Sequence, residues 1–493
     1  MRPAVPFQPT PEQTAVLAHD LQPREVLLLN AYAGAGKSTT LRLLAQAQPR
    51  RRFFYVCFNR SVAQAARAAF PANAYCETLH KVARDAVARD YPREKLGVEL
   101  KPLEIAELLR LRERYVAYWI KRTLQEFLHS VDERPSAKHT HALPLSPGQE
   151  SMVVDLTERL WAQMSDPESS VPLPHDGYLK LYVMGGYPLR PCDVVLLDEA
   201  QDTNPVTTLF LRRQRREQRA VVLVGDRHQA IYGFRGAFNF MEQTDKLRDC
   251  TRLSLTSSFR FGQPIADLAS DLLNAFKADP VRLRGLGRQE RSLTRAFIAR
   301  TNAGLLEEAE NLISAGVSRL HFVGTSERQN YNPAAAYGFS DLLDVYHLRQ
   351  KQPGLVKSSY FRRFDSYDQL KELASDHRAR DLELSRLVAF VDRWQAEVPS
   401  LLDRFAAASV SPEAAQATLA TAHRAKGLEW DTVRMADDFL DLTEASRQPQ
   451  DLNEQAFSEE INLLYVAVTR SRTRVELPEH LQRWHQTWRR RVR

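Results

Sequence analysis

Short, unbroken apolar runs separated by amphipathic stretches set the pattern of this chain. Glu25-Val-Leu-Leu-Leu-Asn30, Arg52-Phe-Phe-Tyr-Val-Cys-Phe58, Asp193-Val-Val-Leu-Leu-Asp198 and Ala220-Val-Val-Leu-Val-Gly-Asp226 show no alternation of apolar and polar residues. Runs of this kind suit strands buried on both faces of a parallel sheet. Helical spacing follows the first two, over Ser38–Ala47 and the alanine-rich Ser61–Phe70. Strands alternating with helices predict a doubly wound parallel sheet with ligands at the carboxyl ends of its strands. Residues 81–185 are helix-rich and close on Val171-Pro-Leu-Pro-His-Asp-Gly177. That stretch is too long for a loop and reads as an inserted subdomain. A second α/β series is expected from near Thr251, with strands at Arg252–Leu255, Ala296–Ala299 and His321–Val323. Polar, helix-leaning residues from Thr325 to Ala415 interrupt it, and it resumes at Ala417.

Length and charge narrow the picture. A chain of 493 residues exceeds one compact core, so two to four domains are expected. Hydrophobic residues at 43% and charged residues at 26% give the balance of a soluble globular protein. The chain has no apolar run of membrane-spanning length and no apolar core of a secretion signal near Met1. A cytoplasmic location, or a nuclear one in a eukaryote, is the expectation. Cys57, Cys76, Cys192 and Cys250 lack the spacing of a disulfide framework or a zinc site. The formal charge is +7, with arginine runs at Arg50–Arg52, Arg212–Arg216 and Arg489–Arg493. Such a surface favours a polyanion, because neutralising phosphates releases counterions.

Candidate chemistry starts at Ala31-Tyr-Ala-Gly-Ala-Gly-Lys-Ser38, between a strand and a helix. In a phosphate loop, glycines let backbone N–H groups close around phosphates, a lysine reaches the outer phosphates and a hydroxyl holds Mg²⁺. Gly34 and Gly36 give the close approach, Lys37 the charge and Ser38 the metal contact. Ala31 stands where the general pattern has glycine. Leu196-Leu-Asp-Glu-Ala-Gln-Asp202 ends a strand with two adjacent acids. Asp198 suits ordering of Mg²⁺ and Glu199 suits polarising the attacking water. These residues define a Mg²⁺–ATPase and leave kinase and small-GTPase readings open.

Further segments, taken in order, resemble the motifs of superfamily 1A helicases of the UvrD/Rep type, and most closely their F-box DNA helicase branch. They are Thr10-Pro-Glu-Gln13, Glu77-Thr-Leu-His-Lys81, Asp198-Glu-Ala-Gln-Asp202, Val224–Ala237, Ser257-Ser-Phe-Arg-Phe-Gly262, Ala299-Arg-Thr-Asn-Ala303, Thr421–Trp430 and Glu459–Arg470. Phe259, where UvrD and Rep types have Asn-Tyr-Arg-Ser around that position, and Asp431-Thr-Val favour the F-box helicase branch. The motifs begin almost at once, so an F-box is not expected. The resemblance implies an α/β protein of two RecA-like doubly wound parallel-sheet domains with helical insertions. Residues 1–80 and 186–250 would form domain 1A around insertion 1B (81–185). Residues 251–324 and 416–493 would form domain 2A around a small insertion 2B (325–415).

The resemblance also implies roles. ATP and Mg²⁺ would be held by Gln13, which reads adenine, by Ala33, Gly34, Ala35, Gly36, Lys37, Ser38 and Thr39, by Phe259 stacked on adenine and by Glu429 on ribose. Ser38 and Asp198 would serve the metal. Lys37, Glu199, Gln229, Arg260 and Arg470 would carry hydrolysis, with Arg235 nearby. Arginine suits the γ-phosphate because its planar fork stays charged. Phe58, Tyr232 and Phe234 would stack bases, which suits a motor that ignores sequence. Thr78, His80, Thr421 and His423 would meet phosphates or link the track to the ATP site. The implied activity is an ATP-dependent helicase or translocase on single-stranded DNA and its junctions with duplex, of 3′ to 5′ polarity. It would act in repair or recombination as a monomer, with a recombinase or single-strand-binding protein as a candidate partner. Two rivals remain: a translocase that strips bound proteins with little unwinding, and an ATP-gated binding subunit that does not cycle.

Overall fold

The structure, a computed structural model, describes residues 8–57, 59–113, 116–141, 143, 145–231, 240–244, 250–287, 294–358, 360–375, 382–445 and 454–492. The chain divides into two compact units, residues 1–32 with 36–255, and residues 33–35 with 256–493.

The first unit is built on six strands: β1 (Val26–Ala31), β2 (Phe53–Cys57), β3 (Ala74–Thr78), β4 (Val194–Leu197), β5 (Ala220–Gly225) and β6 (Cys250–Leu255). They lie in the order β3-β2-β4-β5-β1-β6, and every pairing is parallel. The uniformly apolar runs have become β1, β2, β4 and β5, buried along their whole length. The strand expected over Arg252–Leu255 does not open a second series. It pairs with β1 from Val26↔Cys250 to Ala31↔Leu255 and forms the sheet's outer edge. Its sequence Cys-Thr-Arg-Leu-Ser-Leu is half polar because only one edge and one face of it are covered.

Helices of the 81–185 stretch, chiefly Val116–His129, Pro147–Ser165 and His175–Met184, share one apolar core with this sheet. Ile120, Phe127, Leu160 and Tyr182 pack in the same cluster as Phe54, Val56 and Val195. Lys180, only 2% exposed, enters that core by donating to the Phe127 and Ser130 carbonyls at 3.0 and 2.7 Å.

In the second unit, Ser257–Ser258 (β7) and Arg284–Gly285 (β8) make a short parallel pair. The main sheet is β9 (Arg295–Ala299), β10 (Leu320–Phe322), β11 (Ala417–Thr421), β12 (Trp430–Met435) and β13 (Ser471–Glu476). Its order is β10-β11-β9-β12-β13, again parallel throughout. Helices Phe339–Arg349, Leu382–Trp394 and Val398–Ala408, drawn from the 325–415 stretch, bury Leu342, Phe390 and Phe405 against Phe297, Phe322 and Leu419 of the sheet. No helix among the described residues is long and apolar enough to cross a membrane.

Candidate nucleotide site and candidate arginines

At the carboxyl end of β1 the chain turns through Gly34 and Gly36, both left-handed with φ of +73° and +78°. A side chain at either would be strained in that conformation, which explains glycine there. Lys37 opens the helix Lys37–Ala47, and no side chain caps its first turn. Free N–H groups at such a helix start suit an anion.

Parallel pairing sets β4 close to β1 and brings the acids to this turn. Asp198 accepts hydrogen bonds from Ser38 Oγ and from Tyr55 Oη, each at 2.7 Å, and from the Glu199 amide at 2.9 Å. Burial, then the neighbouring Glu199, push its carboxyl above the ordinary range, against the pull of Lys37. A desolvated carboxylate beside a hydroxyl is ready to gain from a divalent cation, so Ser38 and Asp198 fit Mg²⁺. Lys37 Nζ lies 3.0 Å from Glu199 Oε2. Burial would lower the lysine's pKa, but Glu199, Asp198 and Asp226 outweigh it and hold it above its usual value, firmly charged. Glu199 sits in the left-handed region at φ +53°, a conformation a non-glycine residue adopts at a cost of about 1–3 kcal/mol.

A ring of amides holds this geometry. Gln201 Nε2 donates to Glu199 at 2.6 Å, and its Oε1 accepts from the Asp226 amide at 3.1 Å. Asp226 in turn accepts from Gln229 Nε2 at 2.7 Å. Lys37, Ser38, Asp198, Glu199 and Gln229 are therefore joined through Tyr55, Gln201 and Asp226. Sequence reading passed over these last three. Tyr55 was hidden inside an apolar run, and Asp226 and Gln201 are inward-facing members of motifs whose other residues drew attention.

Other candidates take more local places. Gln13, 1% exposed, completes a capping box with Thr10 and donates to Thr40 Oγ1 at 2.9 Å. Thr39 is half-buried in the first turn of the helix from Lys37. Ala33, Gly34 and Ala35 group with the second unit. Thr78 is a helix cap: 6% exposed, its hydroxyl accepts from the Lys81 amide at 3.2 Å. His80 contacts Asp176 at 3.1 Å and lines a cavity of about 150 Å³ together with Asp198, Glu199 and Asp202. Phe58, Tyr232, Phe234 and Arg235 lie outside the described residues.

Within the second unit, Arg260 donates from Nε to Glu429 at 2.8 Å and from Nη1 to the Thr469 carbonyl at 3.0 Å. Arg260 is thus held against the residue that precedes Arg470. Arg470 is 1% exposed and donates to the Val466 carbonyl and the Thr469 hydroxyl at 2.9 and 3.1 Å. Glu429 also accepts from Arg472 at 3.0 Å. Although burial raises it, Arg260 and Arg472 hold the Glu429 carboxyl below its ordinary value. Arg472 was missed in the sequence; its place two residues after Arg470 was the available signal. Phe259 is exposed, whereas Thr421 is buried at the end of β11 and His423 half-buried in the short helix Ala422–Ala425.

A parallel sheet with a phosphate loop after one of its interior strands, a hydroxyl–aspartate pair and a lysine–glutamate pair defines a P-loop nucleotide-binding protein. The sequence profile of the UvrD/REP helicase N-terminal domain matches residues 189–247, and that of the UvrD-like helicase C-terminal domain matches residues 356–478. The chain belongs to the UvrD-like helicase family, as a protein with two RecA-like domains. It is 30% identical to F-box DNA helicase 1 of Gallus gallus over 96% of this chain and 49% of that protein. F-box DNA helicase protein 1 of Schizosaccharomyces pombe is 30% identical over 95% of this chain and 57% of its own length. The ATP-dependent DNA helicase UvrD2 of Mycobacterium tuberculosis is 26% identical over 58% of this chain and 47% of its own. The chain spans about half the length of these curated relatives.

Proposed function

We propose that this chain is a DNA-stimulated ATPase that moves along single-stranded DNA and separates strands, with 3′ to 5′ polarity. The observation that carries the reading is the convergence of Lys37, Ser38, Asp198 and Glu199 at one strand end, held by Tyr55, Gln201 and Asp226. ATP and Mg²⁺ fit that arrangement. Ser38 and Asp198 would hold the metal, which offsets phosphate charge when bound, and Lys37 would hold the outer phosphates. Glu199 would orient the attacking water and accept its proton. Gln13 would read adenine, the amides of Ala33–Thr39 would cradle phosphates, and Gln229 would sense the terminal one. Phe259 would stack on the base and Glu429 would bond ribose. Arg260 and Arg470 would neutralise charge in the transition state, a role worth about 10³–10⁵ in rate.

We assign residues 1–80 and 186–250, extended through the edge strand to Leu255, to domain 1A, 81–185 to 1B, the remainder of 251–324 with 416–493 to 2A, and 325–415 to 2B. His80, in the cavity that holds the two acids, supports a link between a nucleic-acid track and the ATP site. Thr78, Thr421 and His423, with Phe58, Tyr232 and Phe234 as stacking rings, would complete the track. The same proposal places the chain in repair or recombination beside a recombinase or single-strand-binding protein, as a monomer in cytoplasm or nucleus. One observation favours protein stripping as a second reading: the helices of 325–415 are spent on the core of the second sheet. ATPase activity with and without single-stranded DNA, beside unwinding of 3′- and 5′-tailed duplexes, tests the first reading. Stimulated hydrolysis with 3′-tailed unwinding supports it, and absence of DNA stimulation sinks it. Stimulation with displacement of a protein from a coated strand, but no unwinding, selects the second.

A further inference from the structure

The amino ends of the first unit's strands, opposite the phosphate loop, carry arginine that the ATPase reading does not use. Parallel register aligns the starts of four strands there: Phe53 with Val194, Val194 with Ala220, and Val26 with Val221. The segments leading into those starts are residues 19–25, 48–52, 190–193 and 212–219. Backbone bonds lace them together. The Val221 amide donates to the Glu25 carbonyl at 2.9 Å, Ala220 to Asp193 at 3.1 Å and Asp193 to Arg52 at 2.8 Å. Arg215 Nε donates to the Arg24 carbonyl at 2.9 Å, tying the end of the helix Pro205–Arg216 to the turn before β1. Asn73 Nδ2 donates to the carbonyls of Ala45, Gln48 and Arg51 at 3.0–3.1 Å and fixes the loop between.

Those four segments hold ten arginines and four carboxylates. Each carboxylate is already engaged: Asp20 with Arg51, Glu25 with His19, Asp193 with Arg52 and Glu217 with Arg219. Arg24, Arg50, Arg212 and Arg216 are exposed and form no ion pair among the described residues. A helix dipole accounts for basic residues at the end of Pro205–Arg216 but not for Arg24 or Arg50. Arg24 moreover occupies a left-handed turn, φ +68°, where glycine or asparagine would sit with less strain. The segments contain no phenylalanine, tyrosine or tryptophan. They offer charge and guanidinium forks without a platform for base stacking, which suits a phosphate backbone.

We propose that this edge is a second nucleic-acid contact, taking the phosphate backbone of duplex DNA without reading its sequence. It goes beyond the motor reading and does not depend on it, since binding here needs no nucleotide. The test is anisotropy of the full chain with a blunt, labelled duplex, without ATP, from 50 to 200 mM salt. The quadruple variant R24S/R50S/R212S/R216S is compared with the parent and with the corresponding four-lysine variant. Circular dichroism shows that each is folded. The expected result is a loss of about tenfold or more in duplex affinity for the serine variant, with a salt slope lower by about 0.9 per lost phosphate contact. Lysine restores most of both, and hydrolysis at saturating oligothymidylate stays at the parent level. Duplex affinity and salt slope within twofold of the parent overturn the proposal. So does a variant that loses affinity for poly-glutamate but not for duplex. A parent that fails to hydrolyse ATP with single-stranded DNA counts against the motor reading alone.

Discussion

Ser38 Oγ donates to Asp198 Oδ2 across 2.7 Å, and this bond joins the start of one helix to the end of a different strand. Tyr55 donates to the same oxygen from β2. The three side chains come from separate segments of the chain, so the sheet's strand order is what brings the candidate Mg²⁺ site together. Asp198→Asn should abolish Mg²⁺-dependent hydrolysis. Tyr55→Phe should leave the site standing but loosen the carboxylate, raising the Mg²⁺ concentration for half-maximal hydrolysis by about tenfold or more, since a hydrogen bond to a charged acceptor contributes about 1.5–3 kcal/mol. A Mg²⁺ titration of ATPase rate checks both, and an unchanged half-point for Tyr55→Phe removes the tyrosine from the site.

Lys37 and Glu199 separate binding from turnover. Lys37→Ala deletes the charge aimed at the outer phosphates and leaves Glu199 without its nearest cation. Hydrolysis should vanish and nucleotide affinity should fall. Glu199→Gln keeps shape and hydrogen bonding but removes the base. Nucleotide should still bind, while turnover drops by about 10²–10⁴. Fluorescent-nucleotide binding beside steady-state hydrolysis distinguishes the two, and equal losses in both assays for Glu199→Gln would contradict the assigned role.

Local motifs were readable because their chemistry lies in consecutive residues. The glycine-rich turn before Lys37 and the Asp198-Glu199 pair needed only a strand before them and, for Lys37, a helix after. What the sequence left hidden depended on partners distant along the chain. Nothing in Phe-Phe-Tyr-Val-Cys distinguishes Tyr55 from packing until β2 is seen beside β4. The half-polar pattern of Cys250–Leu255 is that of an edge strand, but an edge pattern does not say which sheet it borders; its pairing with β1 does. Thr78 illustrates a different limit, because a threonine before a helix serves as cap or as ligand by the same hydroxyl.

That last ambiguity gives a test. Thr78 Oγ1 accepts from the Lys81 amide at the start of Leu79–Val87. Thr78→Ala should cost about 1 kcal/mol of stability through the lost cap. Thr78→Ser, which keeps the acceptor, should restore most of it. Single-stranded DNA affinity, measured where every variant is folded, should fall in Thr78→Ala and return in Thr78→Ser when the hydroxyl also serves the track. Parental affinity in folded Thr78→Ala would leave the threonine as a helix cap alone.

Arg260 bridges Glu429 and the Thr469 carbonyl, so its guanidinium is held beside the residue that precedes Arg470. Arg260→Ala should lower ATP turnover by about 10³ or more with little effect on nucleotide binding, as expected of a group that acts in the transition state. Glu429→Ala should lower turnover less. If Glu429 works partly by positioning Arg260, the double variant should resemble Arg260→Ala alone. Additive losses in that cycle would show that the two act separately.

Lys180 predicts how stability depends on pH. Burial pushes its ammonium down from an ordinary value of 10.5 to about 8, despite the attraction of Asp132. Below pH 8 the amine is charged in the folded and unfolded chain alike, and the folded state carries the full cost of burying it. Between 8 and 10.5 the folded chain releases this proton first, so the unfolded chain binds more protons and folding gains as pH rises. Above 10.5 the difference is flat. Lys180→Met removes the titration and leaves the Phe127 and Ser130 carbonyls without this donor, which sets a constant offset. Measured by denaturant unfolding at pH 7.5, 9 and 10.5, the parent should gain on the variant by about 3 kcal/mol across the series. Parallel stability curves for the two proteins would mean that Lys180 is not depressed, and that its two carbonyl bonds and the Phe127 ring 4.0 Å away suffice to keep it charged in the core.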